Sequence, residues 1–322
     1  MAYNRPWKSF SDQLALLKSR GMVVTDDAAA LRYLERIGYY RLSAYWYPFR
    51  IFQYQKDPES GLIHTVRTDD FVSNTQFLDA VELYLFDKKL RLLVLDALDR
   101  IEVAIRVDMA YLLGERDRFA HHDVAHFHSG FAGRAGRSGK TAFGIWHEKY
   151  AGLVDRSKED FVKHYRAKHG PDLPIWVAIE VWDFGVMSQL FAMMKVVDQE
   201  KIATKYGMHD WKVFQSWLRS LNYLRNLVAH HSRLWNRNVI DQPKMPARGV
   251  LPWCDGFIGK ADLVAKPFLL LAISRHLVMR ICPGTQWPQR VKAHMLDFPT
   301  QHSELKRSVA DMGAPAGWEV WW

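Results

Sequence analysis

The feature that most constrains the fold is a segment from Thr75 to Leu113, in which apolar residues recur with the spacing of an α-helix. Neither proline nor glycine interrupts it, and charged side chains are interleaved with the apolar ones. One long helix or two stacked helices would both fit this pattern. Most other segments also have helical periodicity, and no stretch is convincing as a β-sheet. We therefore expect an all-α protein.

Start and stop signals predict further helices. Thr25-Asp26-Asp27 is typical of an N-cap before a helix over residues 26–37, which Gly38 would end. Residues 54–70 carry Pro, Gly, Ser and Asp and predict a loop. Helical patterns also cover residues 10–20, 158–168, 175–196, 210–235 and 262–281, with a weaker pattern at 303–312.

Two segments divide the chain. Residues 114–145 are rich in Gly, His and Arg and predict a surface excursion or mobile loop. A proline-rich stretch at residues 243–252 separates a C-terminal part. We expect a helical domain over residues 1–245, which includes the N-terminal helices and the excursion, and a helical extension over residues 246–322.

Composition limits the class of protein. The chain is 48% hydrophobic and 25% charged, which is a globular rather than a disordered balance. Cys254 and Cys282 are far apart, which argues against a disulfide framework and fits a reducing cytosol. The N-terminus lacks the apolar core of a signal peptide, and the apolar run from Phe268 to Ile273 is too short to span a bilayer. We expect a soluble, cytoplasmic protein with no membrane partner.

The positive charge is concentrated in one region. The net charge of +9 favours a polyanionic partner, although such a surplus can also serve only to keep a surface soluble. Residues 219–248 hold six basic residues against one acidic residue, Asp241. This concentration favours nucleic acid as the partner.

The helix predicted over residues 210–235 carries reactive side chains in this basic region. Arg225 falls within or beside its apolar stripe, so it needs a carboxylate or a phosphate as partner. Asn226 and His230 are four residues apart and share another face. A histidine, with an ordinary pKa of about 6.5, moves protons at neutral pH, and an arginine stabilises charge on phosphorus. Arg225, Asn226 and His230 therefore suit cleavage of RNA by its own 2′-OH, with no metal or other cofactor.

The spacing of Arg225 and His230 is not specific by itself. The same pattern of Arg, four residues and His runs from Arg116 to His121, where no Asn follows the Arg and the helical pattern ends. On an ideal helix, residues five apart point about 140° away from each other. Two copies that face each other across a two-fold axis would bring the side chains together, which favours a homodimer. A local distortion of the helix is the alternative.

Four motifs, in order along the chain, resemble the prokaryotic abortive-infection (Abi) proteins of the AbiD/AbiF-like group. They are GYYRLSAYWYPFR at Gly38 to Arg50, LYLFDKKLRLLVLDALDRIEVAIR at Leu83 to Arg106, LPIWVAIEVWDFGVMSQLF at Leu173 to Phe191, and LRNLVAHHSRLWNR at Leu224 to Arg237. The last motif also resembles the Arg-x4-His signature of HEPN domains, the helical fold of many prokaryotic ribonucleases.

The resemblance implies a HEPN-like helical bundle with additional N- and C-terminal helices. It also implies metal-independent RNA cleavage, a homodimer that pairs its motifs, and a role in phage defence through host shutdown or as a toxin. Arg225 and His230 match the signature positions, and Asn226 matches the polar residue that often follows the Arg. In some relatives a small noncoding RNA acts as antitoxin or guide. We expect further RNA contacts from Arg41, Arg219, His231, Arg233 and Arg237.

Several aromatic and acidic residues have two interpretations each. The aromatic motif with Arg41 and Arg50 can bind RNA by stacking, but packing within the protein is favoured. Trp235 can stack on a base or pack in the core. Glu180 can orient His230 or pair with Arg225, Glu102 can pair with Arg225, and either can instead form ion pairs elsewhere.

The histidines of residues 114–145 also have two interpretations. His122 and His126 are four residues apart, which is a conceivable zinc spacing, with His121 and His128 beside them. No cysteine and no clear acidic third ligand accompany them. A flexible surface loop is therefore favoured over a metal site.

Two other functions fit the same sequence. A non-catalytic protein that binds a small noncoding RNA would keep the basic region and would not need His230. A nucleotidyl transferase would transfer a nucleotide group to RNA or protein. The chain lacks a Gly-rich phosphate loop before a helix, which weighs against the transferase.

Overall fold

A computed structural model describes residues 6–136 and 139–322, which form a mostly-α fold with one small sheet. This confirms the predicted class. The helices are α1 (Phe10–Ser19), α2 (Asp27–Ile37), α3 (Tyr39–Trp46), α4 (Phe77–Gly114), α5 (Ser129–Ala132), α6 (Ala142–Arg156), α7 (Asp160–His169), α8 (Ile175–Ala178), α9 (Phe184–Met193), α10 (Val196–Lys205), α11 (Trp211–Ala229), α12 (Ala261–Val264), α13 (Pro267–Ile281), α14 (Trp287–Leu296) and α15 (Trp318–Trp321). The strands are β1 (Arg50–Lys56) and β2 (Ile63–Phe71).

Helices with clear end signals lie where the sequence predicts them. The Asp26 carboxylate accepts a hydrogen bond of 2.9 Å from the Ala29 amide and so caps α2. Gly38 ends that helix with a φ of 90°, a conformation that a side chain would strain. The pattern from Thr75 to Leu113 forms one continuous helix, α4, rather than two.

The helix predicted over residues 175–196 is interrupted. It consists of α8, a 3₁₀ turn over Ile179–Val181, and α9. The chain is extended at Trp182, and the Asp183 carboxylate accepts a hydrogen bond of 2.7 Å from the Val186 amide, which starts α9 afresh. The pattern at residues 303–312 forms only a 3₁₀ turn over Val309–Met312.

The prediction of a loop over residues 54–70 is wrong, because most of this segment lies in an antiparallel hairpin of β1 and β2. Its turn is held by the Asp57 carboxylate, which accepts hydrogen bonds from the amides of Glu59 at 2.9 Å and Ser60 at 2.7 Å. Nearly all its side chains are exposed on both faces. A strand that buries neither face has no apolar alternation, so its sequence looks like that of a loop.

The prediction of a surface excursion over residues 114–145 is partly wrong. This segment contains α5, 3₁₀ turns over Ala120–His122 and Val124–His126, and the start of α6, and its His121 is buried. Residues 137 and 138 of this stretch lie outside the described residues.

The chain forms two compact units. Unit 1 comprises the residues up to Arg91 and Val291–Asp311, and its core includes Leu34, Trp46 and Phe49. Unit 2 comprises Leu92–Arg290 and Met312–Trp322, and its core is built around the tryptophans and phenylalanines of α6, α9, α11 and α13. The expected domain boundary near residue 245 does not coincide with these units and stays a prediction. No described helix combines the length and the apolar character needed to cross a membrane.

Candidate active site

Helix α11 of unit 2 carries the residues that the sequence singles out. Asp210 caps its N-terminus by accepting a hydrogen bond of 2.8 Å from the Lys212 amide. The helix packs against α9, α10 and α13. Its predicted apolar stripe is buried as expected, and consists of Phe214, Trp217, Leu218, Leu221, Leu224 and Val228.

The C-terminal end of α11 differs from the prediction, because the helix ends at Ala229 rather than near residue 235. His230 is the C-cap, and His231 adopts a left-handed φ of 55°. The amides of His231 and Ser232 donate to the carbonyls of Val228 at 3.1 Å and Leu227 at 2.9 Å, which is the Schellman pattern. His230 therefore lies at the end of the helix and not within it.

Arg225 is half-buried in the last turns of α11, and its guanidinium interacts electrostatically with Glu102 of α4. Burial raises the pKa of Glu102 above its ordinary value, while the guanidinium groups of Arg106 and Arg225 draw it back down. Arg106 forms an ion pair with Glu102 and also donates to the Trp182 carbonyl. One buried carboxylate thus interacts with two guanidinium groups.

More polar groups surround this cluster. Asp183 interacts electrostatically with Glu102, and the Lys149 ammonium lies 3.5 Å from the Asp183 carboxylate. A Cβ atom at Gly185 would lie 3.0 Å from Lys149 Nζ and 3.5 Å from the Asn222 side-chain oxygen. Glycine at this position therefore allows these polar groups to approach the backbone closely.

The charge of this cluster suits an anionic ligand. The cluster contains three basic side chains and two acidic ones, an excess of one positive charge. They are Arg106, Lys149 and Arg225, and Glu102 and Asp183. Sequence reasoning did not assign a role at the site to Arg106, Lys149, Asp183 or Asn222. An aspartate followed by a short apolar run is an N-cap signal, which could have located Asp183, but no local pattern links it to α11.

Asn226 and His230 are exposed, in contrast to Arg225. The Asn226 side-chain oxygen lies 3.5 Å from Arg225 Nη1, a long contact, and its carbonyl accepts a hydrogen bond of 3.0 Å from the His230 amide. The end of α11 thus holds a partly buried cation next to an accessible amide and an accessible imidazole.

The expected RNA-contacting residues occupy different surroundings. Arg219 and His231 are exposed, and Arg219 lies 3.7 Å from the Asp241 carboxylate. Arg233 and Arg237 are half-buried, and Arg237 Nε donates to the Tyr223 hydroxyl at 3.3 Å. Arg41 is exposed on α3, in unit 1 rather than unit 2.

The aromatic residues follow the packing interpretation with two exceptions. Trp235 is fully buried, so it is a core residue and no base can stack on it. In the aromatic motif, Tyr45, Trp46 and Phe49 are buried as well. Tyr40 and Tyr47 of the same motif remain exposed, at 90% and 49%.

Of the two candidate carboxylates, Glu102 is the one that interacts electrostatically with Arg225. Glu180 is exposed on the 3₁₀ turn after α8. It lines a cavity of about 540 Å³ together with Tyr111 and Trp176.

His121 and His122 form a packed cluster with residues of α6, so this part of the 114–145 stretch is not a flexible loop. His121 Nε2 lies 3.2 Å from the Tyr150 hydroxyl, and His122 Nδ1 lies 2.9 Å from His147 Nε2. Burial, with smaller contributions from His122 and His147, lowers the pKa of His121 to about 3. Among the described residues, no group of three or more His, Cys, Asp or Glu is placed to hold a metal ion.

Comparison with known families assigns the chain. A family model described as Abi-like protein matches residues 32–236, which is more than half of the chain, so the chain belongs to the Abi-like protein family. Membership suggests a role in abortive infection, a form of phage defence. The matched range includes Arg225, Asn226 and His230. Searches of curated proteins and of solved structures found no match.

Proposed function

We propose that the chain is a metal-independent endoribonuclease that acts in phage defence, either by abortive infection or as the toxin of a toxin–antitoxin system. In this proposal the end of α11 is a HEPN-type Arg-x4-His site, as expected for an AbiD/AbiF-like protein. RNA is the substrate, and a regulatory noncoding RNA is the second partner.

One observation carries the proposal: the half-buried Arg225 interacts electrostatically with Glu102, whereas Asn226 and His230 at the same end of α11 are accessible. An arginine stays charged in proteins and can donate several hydrogen bonds to one phosphate, which is what stabilisation of a transition state requires. An accessible imidazole can reach the ribose of a bound RNA.

The reaction follows from these groups. Neutral His230 takes the proton of a ribose 2′-OH, and the 2′-oxygen attacks the adjacent phosphorus. The bond from phosphorus to the 5′-oxygen breaks, and a protonated imidazole gives the leaving oxygen its proton. Arg225 and the Asn226 amide donate to the non-bridging oxygens while their negative charge grows. The products are a 2′,3′-cyclic phosphate and a 5′-hydroxyl. Because the nucleophile is part of the RNA, no activated water is needed.

A homodimer would supply the second imidazole. The base and the acid act on opposite sides of the phosphorus, so a single His230 serves both roles only by shuttling its proton. Two copies related by a two-fold axis would let His230 act as the base and the partner's His230 as the acid. This arrangement is part of the proposal.

The test is RNA cleavage by the purified protein in EDTA, with wild type, His230→Ala and His164→Ala compared on the same mixture of RNAs. His164 is exposed on α7 and serves as the matched control. Loss of a general acid or base lowers the rate by roughly 10²–10⁴-fold, so we expect that loss for His230→Ala and no change for His164→Ala. Inactivity of all three proteins, or equal activity of wild type and His230→Ala, would contradict the proposal. RNA binding without products, unchanged in His230→Ala, would select the RNA-binding alternative instead.

A further inference from the structure

Unit 1 contains a cavity of about 1080 Å³ that the proposed cleavage site does not use. Its walls come from α1, α3 and the hairpin, and they combine basic with aromatic side chains. Its charged side chains are Lys8, Arg20, Arg50 and Asp69, and its exposed tyrosines are Tyr40 and Tyr47.

Two arginines of this cavity share one carboxylate. Arg20 Nη2 lies 2.6 Å from one oxygen of Asp69, and Arg50 Nη1 lies 2.8 Å from the other. The two arginine side chains are only 17% and 16% exposed, so both are held in place. Arg50 Nε is buried and has no hydrogen-bond partner among the residues that the structure describes. Two guanidinium groups against one carboxylate leave a positive charge for an anion to neutralise.

Further cations reinforce this charge. Burial lowers the pKa of Arg67, and the nearby guanidinium groups of Arg307 and Arg50 lower it further. Arg67 donates to the Tyr47 carbonyl at 3.0 Å, next to the cavity wall. Lys8 lies in the wall itself. Arginines stay protonated in proteins, so the cluster is relieved by an anionic ligand rather than by loss of a proton.

The aromatic side of the cavity offers ring faces. Tyr40 is 90% exposed and Tyr47 is 49% exposed, whereas Tyr39 is held against Trp46 with ring centroids 5.1 Å apart. An exposed tyrosine in the same cavity as fixed arginines can bind a base by stacking while the arginines bind its phosphate by charge.

We propose that this cavity binds a nucleoside monophosphate unit, with its base against Tyr40 and its phosphate against Arg20 and Arg50. The unit can be a free nucleotide or one residue of a single-stranded RNA. The proposal stands on the cavity alone, and it does not depend on cleavage at His230.

The test measures binding to the full-length His230→Ala protein, in which RNA would stay intact. Adenosine monophosphate, a short oligoadenylate, adenosine and inorganic phosphate are titrated by calorimetry. Tyr40→Ala is compared with Tyr54→Ala, because Tyr54 is also a highly exposed tyrosine of unit 1, at 82%, and lies on β1 outside the cavity lining. Stacking on one aromatic ring contributes enough that Tyr40→Ala weakens binding by at least about fivefold, with Tyr54→Ala unchanged.

A second pair of variants tests the phosphate end. Lys8→Gln weakens binding of the oligoadenylate a few-fold and lowers its salt dependence by about one unit, as expected for loss of one phosphate contact. Lys56→Gln, on the exposed hairpin, leaves both unchanged.

The outcomes separate the ligand sources and the two proposals. Tight adenosine monophosphate binding identifies a free nucleotide, and binding of the oligoadenylate alone identifies RNA; both support the cavity. No binding of either, inorganic phosphate binding as tightly as the nucleotide, or equal affinities of Tyr40→Ala and Tyr54→Ala would overturn it. Because binding is measured without cleavage, absence of nucleotide binding would not contradict the proposed ribonuclease. Absence of cleavage would likewise not contradict nucleotide binding in the cavity.

Discussion

Two ion pairs of the same kind lie on α4, one in each compact unit. Asp87 pairs with Arg91 in unit 1, and Glu102 pairs with Arg106 in unit 2; both are acid–arginine pairs four residues apart. The first is almost fully buried, with Asp87 at 0% and Arg91 at 5% side-chain exposure. Glu102 and Arg106 are slightly more exposed, at 11% and 14%.

The difference between the pairs lies in their third partner. The Tyr45 hydroxyl donates to Asp87 at 2.6 Å and accepts from Arg91 at 3.2 Å, so the first pair forms a closed network in the core. Glu102 instead interacts with a second cation, Arg225, at the end of α11. Sequence spacing is the same in both cases. The comparison indicates that the first pair supports folding and that the second supports the candidate site.

The largest expected effect is on stability, at Asp87. Asp87→Ala leaves the buried Arg91 without its carboxylate, so the free energy of unfolding falls by about 3–5 kcal/mol. Cleavage per folded molecule stays at the wild-type value. Urea unfolding followed by circular dichroism measures the free energy of unfolding. Asp99→Ala is the control, because Asp99 is an exposed aspartate of the same helix. A cost below about 1 kcal/mol would show that the network in unit 1 is not structural.

The next effect is on activity, at Glu102. Glu102→Gln keeps an acceptor for Arg106 but removes the charge that Arg225 faces, and we expect cleavage to fall by about 30-fold. Burial raises the pKa of Glu102, so its ionised form is costly and the neutral glutamine should change stability less than Asp87→Ala does. Wild-type cleavage should also decline in acid at a higher pH than an ordinary glutamate would give, and Glu102→Gln should lack that step.

Glu82→Gln is the matched control for this variant. Glu82 also lies on α4, and burial raises its pKa too, but it belongs to unit 1. Its substitution should leave the cleavage rate unchanged. Equal rates for wild type and Glu102→Gln would show that the Glu102–Arg106 pair, like the Asp87–Arg91 pair, does not support cleavage.

The smallest effect concerns stability in acid. Because Glu102 also loses its charge in acid, the effect of His121 is measured as the difference between wild type and a His121 variant. His121 of unit 2 has a pKa lowered to about 3, so it stays neutral in the folded protein while the unfolded chain takes up a proton near its ordinary value. Stability is therefore lost as the pH falls through the window between these two values. From pH 6.5 to pH 5, wild type should lose up to about 2 kcal/mol more than His121→Phe. Urea unfolding at both pH values checks this, and His128→Phe, at an exposed position, should behave as wild type. Equal losses of stability in wild type and His121→Phe would contradict the lowered pKa of His121.

The fold was predictable where local chemistry decides it. The apolar stripe of α11, the cap at Asp26 and the helical character of α4 follow from periodicity and end signals, whereas the sequence left open whether α4 is one helix or two. The hairpin was not predictable, since its strands expose both faces and lack apolar alternation. The end of α11 was missed because His231 adopts a left-handed conformation that usually belongs to glycine.

The candidate site was predictable only in part. Arg225, Asn226 and His230 form a motif within one helix, so the sequence alone singles them out. Glu102 and Glu180 were equal candidates as the partner of Arg225, because the choice depends on how α4 packs near α11 and not on spacing. Asp183 and Lys149 join the same cluster from α9 and α6, elements with no sequence signal that links them.

The most direct test of the central claim uses the substrate's own nucleophile. Wild-type protein in EDTA is incubated with an oligoribonucleotide and with the same sequence carrying 2′-deoxy sugars, and the product ends are analysed by mass spectrometry. We expect the ribose strand to be cut to 2′,3′-cyclic phosphate and 5′-hydroxyl ends and the deoxy strand to stay intact. Cutting of the deoxy strand, ribose products with other ends, or no cutting of either strand would contradict it.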